Sequence, residues 1–144
     1  MKLDRFTKAV FVGIALIAIV AYMDFKPYPQ SFWGYSMLLG AVAAVMYYLF
    51  RRDKSEALAI FAAFYIMLIF GLEDLIFYIY DKTLCLADCV FPASMPHLYN
   101  HTIIGGVAKL LNLTTVSPTS LIISVSIGGL ITYFLVKWLK KQKW

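Results

Sequence analysis

Residues 54–80 read KSEALAIFAAFYIMLIFGLEDLIFYIY. From Ala57 to Leu72 the run carries no charge; Glu73 and Asp74 then interrupt it, and apolar side chains return from Leu75 to Tyr80. An apolar stretch of this length reads as a transmembrane helix. Asp53, followed three residues later by Glu56, has the form of a capping box with aspartate in the place of serine or threonine. The expected helix therefore runs from Lys54 to about Tyr80. That exceeds the roughly 20 residues a bilayer requires, so it must tilt or lift its end out of the hydrocarbon.

The rest of the chain has the same character. Of 144 residues, 62% are hydrophobic and only 15% charged, against about 25% charged in soluble domains. Mean hydropathy is +0.77. A water-soluble fold of this size cannot hide so much apolar surface, so much of it must face lipid or other helices. The formal charge of +5 is no footprint of nucleic acid, because the basic residues flank the apolar runs. Lipid headgroups and membrane topology account for them.

Three further spans are expected, at about 6–23, 32–50 and 118–138. The first follows Lys2, Arg5 and Lys8; Tyr22-Met23-Asp24 is not a small-residue cleavage site, so the segment reads as a retained helix. Pro27 and Pro29 stop it and Ser31 can cap the next. Ser117-Pro118 is a start signal for the last. With four spans, Lys2, Arg5, Lys8, Arg51, Arg52, Lys54 and the lysines from Lys137 onward fall on one side. Lys26, Lys82 and Lys109 fall on the other. The positive-inside rule then places both termini in the cytoplasm and loop 81–117 outside it. The expectation is an all-α integral membrane protein, a single domain over 1–144, built as a small bundle of four transmembrane helices with a structured extracytoplasmic loop. Small residues at spacings of four (Ser120, Ser124 and Gly128; Gly40 and Ala44; Ala59 and Ala63, with Ala62 beside them) suit close helix approach, within the chain or against another subunit.

The outer loop holds both cysteines and both histidines. Cys85 and Cys89 are expected to form a disulfide outside the cytoplasm. His97 and His101, four apart, would share one face of a short helix and could bind one metal ion. The four residues have the ligand types of a zinc site, although the gap between the pairs is shorter than usual. The plainer alternative makes the histidines hydrogen-bonding residues at the interface. Thr102–Leu113 is too short to span and reads as an interfacial or shallow re-entrant helix.

Glu73 lies about 29 Å along the third helix from Lys54, at about 1.5 Å per residue, near the outer edge of the hydrocarbon. Asp74, Tyr78 and Asp81 share one face; Glu73, Phe77 and Tyr80 share the next. Carboxylates in lipid are costly and must face the bundle or a wet cavity. Three roles stay open: locking the loop onto the bundle, contacting a partner subunit, or joining His97 and His101 in a carboxylate–imidazole site. Such ligands suit zinc, copper, iron or manganese. Either acid could also serve as a general acid toward a lipid or isoprenoid substrate.

The eight residues Gly71-Leu72-Glu73-Asp74-Leu75-Ile76-Phe77-Tyr78 resemble the acidic pair and two aromatics of membrane lycopene cyclase domains. That family usually has proline where Gly71 stands, and two copies of the domain. The functional expectation is a non-catalytic subunit or accessory component of a larger membrane complex, contacting lipids, protein partners or its own copies, with no nucleic acid. The alternative is an outer-face metal-binding protein or enzyme using Glu73, Asp74, His97 and His101.

Overall fold

The computed structural model describes residues 4–25, 31–84, 100 and 103–142, and their side chains except at 23–25, 31–37 and 80–84. It is all-helical: α1 (Arg5–Phe25), α2 (Ser31–Arg51), α3 (Lys54–Ile69), α4 (Leu72–Leu84), α5 (Ile104–Leu110) and α6 (Pro118–Leu139). By length and composition, α1 and α6 can each cross a membrane, and the bent pair α3–α4 makes a third candidate. Within α2, Leu38–Arg51 is a shorter apolar helix.

The unbroken helix expected over 54–80 is corrected to two helices bent by 67°. Gly71 causes the break. Its φ of +87° lies in the left-handed region, which ends a right-handed helix and favours glycine. The Phe70 and Gly71 N–H groups close the end of α3 by donating to the carbonyls of Ile66 and Leu68, both at 3.0 Å. The Leu75 N–H then donates to the Gly71 carbonyl at 3.0 Å and opens α4. The bend shortens the rise of the pair along the α3 axis. Along its own axis α3 rises about 24 Å, and α4, inclined at 67°, adds about 8 Å. Together they climb about one hydrocarbon thickness.

α3 is the hub, packing against α1, α2 and α6, while α4 packs against α1 and α6. Ala59, Ile60, Ala63 and Phe64 of α3 are fully buried; Ala62 is only partly so. The helices approach through small residues. A Cβ on Gly13 of α1 would stand 2.9 Å from the Ile60 carbonyl oxygen, and one on Gly40 of α2 would stand 2.2 Å from the Phe64 ring. On α6 the buried face is Ser120, Ser124, Gly128, Thr132 and Val136, an unbroken spacing of four. These stripes turn inward, while Phe11, Val45, Leu130 and Phe134 face outward, exposed. Apolar side chains point both ways, as expected where the surrounding solvent is lipid.

Two starts follow local chemistry. The Asp53 carboxylate accepts from the Glu56 N–H at 2.9 Å. Ser117 and Ser120 exchange bonds in a capping box, with Pro118 opening α6. The basic clusters converge at one end. Lys140 pairs with Asp4 at 2.5 Å, its ammonium stands 5.4 Å from the Phe6 ring centre, and Arg52 and Lys54 line a cavity with it. At the other end α5 buries Ile104 and Ala108 with Val116 and Leu121, joined by Leu75 and Tyr78 of α4.

Candidate functional site

The acidic pair stands where α3 gives way to α4. The break is held from three sides. The Ser124 hydroxyl donates to the Phe70 carbonyl at 2.9 Å. Gly128 lies directly beneath Phe70, and a Cβ there would come within 2.7 Å of the Phe70 Cβ. Ile104 and Leu121 close over Gly71 from the α5 side. Leu72 and Ile76 pack toward the cluster of Ile17, Val20, Phe64 and Met67. This anchors the start of α4 and fixes the acids in its first turn.

Glu73 is 5% exposed and Asp74 is half-buried. Both sit in the first turn of α4, where the positive end of the helix dipole stabilises negative charge. That location offsets part of the cost of holding carboxylates among apolar helices. Chemically, the pair can accept hydrogen bonds, hold a proton or supply oxygen ligands to a hard or borderline cation. Among the described residues, no three His, Cys, Asp or Glu side chains cluster closely enough to hold a metal ion. His97 and His101, proposed as co-ligands, and Cys85 and Cys89, proposed as a disulfide, lie outside the described residues.

Two polar features escaped the sequence reading. Glu56 was read only as a capping residue, yet it is 3% exposed. Its Oε2 accepts from the Tyr47 hydroxyl at 2.5 Å, tying α3 to α2 across the short turn. Tyr47 precedes Glu56 by nine residues on the neighbouring antiparallel helix, so the pairing was within reach once that turn was recognised. Thr132 is the other. It is 4% exposed, and its Oγ1 has no hydrogen-bond partner among the described residues. The signal was the stripe of Ser120, Ser124 and Gly128, which continues at the same spacing to Thr132.

At the basic end, the Lys140 hydrogen bond and then the Thr7 N–H hold the Asp4 carboxyl well below its ordinary value of 3.8. A depressed carboxylate pKa contributes stability above the ordinary value and loses it as the pH falls toward the lowered one. The pair is therefore intact at neutral pH. Its exposure to water keeps its contribution small and screened by salt.

The fold and site together define an all-helical chain with two or three candidate membrane spans and a buried acid at a broken helix. No protein family, curated protein or solved structure matches this chain.

Proposed function

We propose that this chain is a small polytopic membrane protein acting as a non-catalytic subunit or accessory component of a larger membrane assembly. In this reading it is a four-span bundle, with α2 as the remaining span. Both termini lie in the cytoplasm and the segment between α4 and α6 lies outside. The observation that carries the reading is the placement of Glu73 and Asp74. They occupy the first turn of a helix created by a glycine break, where backbone geometry already accounts for acidic residues. Outward-facing apolar side chains on α2, such as Leu38, Val42 and Val45, supply surface for lipid, protein partners or a second copy.

The test is the mass of the particle released by mild detergent from its native membrane. A stoichiometric assembly larger than the 16.3 kDa chain and its detergent is the expected result. A lone, monodisperse chain overturns the subunit reading.

The burial of Glu73 favours one second reading, an outer-face metal-binding protein or an enzyme on a lipid or isoprenoid substrate. Glu73 and Asp74 would then act with His97 and His101 on zinc, copper or iron. Glu73→Gln separates the two. Under the subunit reading it lowers stability by about 1–2 kcal/mol, through loss of charge at the helix start, and leaves metal content unchanged. Under the second reading, near-stoichiometric metal is present by elemental analysis and is lost in both Glu73→Gln and His101→Ala, with the fold retained.

A further inference from the structure

α1 and α6 both pack on α3 and leave a crevice of about 450 Å³ between them. Its walls include Val10 and Ile14 of α1 and Gly129 and Tyr133 of α6, and Met67 of α3 also lines it. Its mouth, at the basic end, holds Lys137 and Lys140. Lys140 also borders the neighbouring cavity with Arg52 and Lys54. The local acids are Asp4, paired with Lys140, and Asp53 in the neighbouring cavity. Two lysines therefore stand at the opening itself, and Arg52 and Lys54 add positive charge from the adjoining cavity.

Two features of the crevice wall bear on a ligand. Thr132, the buried residue whose hydroxyl is unpartnered, is part of its wall. A buried hydroxyl left without a bond is costly, so a ligand that supplied an acceptor would relieve that cost. Thr132 lies about 7.5 Å along the helix from Lys137, deeper in the crevice than the cations at its mouth. At Gly129, a Cβ would meet nothing within 4 Å, while its neighbour Gly128 is tight against Phe70. The two adjacent glycines thus have different surroundings, and the open one lines the crevice.

We propose that this crevice binds one anionic phospholipid from the leaflet at the basic end. Lys137 and Lys140 hold the phosphate, with Arg52 and Lys54 adding to the local positive potential. Thr132 turns its hydroxyl to a glycerol oxygen. One acyl chain lies along Val10, Ile14, Met67 and the open face of Gly129. Clusters of basic residues beside membrane helices recognise anionic headgroups in this way. The crevice volume is also within the range of about 300–1,000 Å³ found for small-ligand sites. The site does not depend on the subunit reading and would serve a lone chain equally.

The test is native mass spectrometry of the full chain, delipidated in detergent and titrated with phosphatidylglycerol or with phosphatidylcholine of the same acyl chains. One phosphatidylglycerol should bind in preference to phosphatidylcholine. Lys137→Gln and Lys140→Gln should each weaken it by about fivefold. Gly129→Leu, whose Cβ has open space and whose longer side chain occupies the crevice, should abolish the specific site while the variant still unfolds cooperatively in detergent. Equal binding of the two lipids overturns the proposal. So does phosphatidylglycerol binding that is indifferent to Gly129→Leu, which would mark mere surface charge. Competition by soluble glycerol phosphate as effective as that of the lipid also overturns it, because the chain would then contribute nothing. If Gly129→Leu does not fold, Thr132→Val takes its place: weaker phosphatidylglycerol binding supports the assignment, and unchanged binding refutes it.

Discussion

Gly71→Ala is expected to destabilise the folded protein by about 2–5 kcal/mol, measured by reversible unfolding in detergent or bicelles. Two independent costs add. A side chain at φ +87° is strained by about 1–2 kcal/mol. The new Cβ also stands 2.9 Å from both Ile104 Cδ1 and Leu121 Cδ2, and overpacking a tight core costs about 1–3 kcal/mol. Those neighbours are themselves buried at the α4–α5–α6 junction, so they have little room to give. The backbone term distinguishes this prediction from a simple clash. Measured against Leu121→Ala alone, Gly71→Ala should cost less than in wild type but still more than nothing, because the Ile104 contact and the left-handed backbone both remain; no added cost in that background would show that the left-handed conformation at residue 71 is not needed for the break. A Gly71→Ala variant as stable as wild type would argue that α3 and α4 form one continuous helix.

The second large effect is a contrast between adjacent glycines on α6. Gly128→Ala should cost about 1–3 kcal/mol, because its Cβ would come 2.7 Å from the Phe70 Cβ and 2.8 Å from the Phe70 Cγ. Shortening Phe70 to alanine leaves its Cβ in place, so it should not rescue the variant. Relief requires α6 to move away from the α3–α4 break, which would also stretch the Ser124–Phe70 hydrogen bond. Gly129→Ala, one residue on, should be neutral or stabilising by up to about 1 kcal/mol, since it adds helix propensity into open space. Measured side by side by thermal unfolding, the two should differ in sign or nearly so. Equal losses at both positions would mean that α6 is rotated about its axis from the orientation described.

Helix starts and stops proved the most readable part of the chain. Ser117-Pro118 opens α6 and Asp53 caps α3 because capping depends on the residues themselves and on backbone donors three positions away. The stripe of Ser120, Ser124 and Gly128 was legible as a close-packing face, because small residues at a spacing of four let helix backbones approach; that it packs within the chain was decided by the fold. The broken third helix was less so. Glycine occurs widely in membrane helices, and its φ is set by neighbours that close over it, here Ile104 and Leu121, more than 30 residues away. Glu73 and Asp74 stood out in the sequence as polar groups within an apolar run. Their position in a first turn, with the stabilisation this brings, followed only from the break. Glu56 was passed over because a capping pattern already explained it; its burial against Tyr47 depends on how α2 and α3 lie together.

By itself, the sequence determined that this chain is helical and rich enough in apolar surface for a membrane, where most of the helices begin and end, and which small residues suit close helix packing. These are local or compositional properties, read from spacing, capping chemistry and the absence of charge over long runs. Only the tertiary structure decided that the longest apolar run bends by 67°. It also decided that α5 closes the end away from the basic clusters, and that a crevice with an unpartnered threonine opens between α1 and α6. Each of these depends on residues far apart in the chain competing for the same space around α3, and that competition has no local signature.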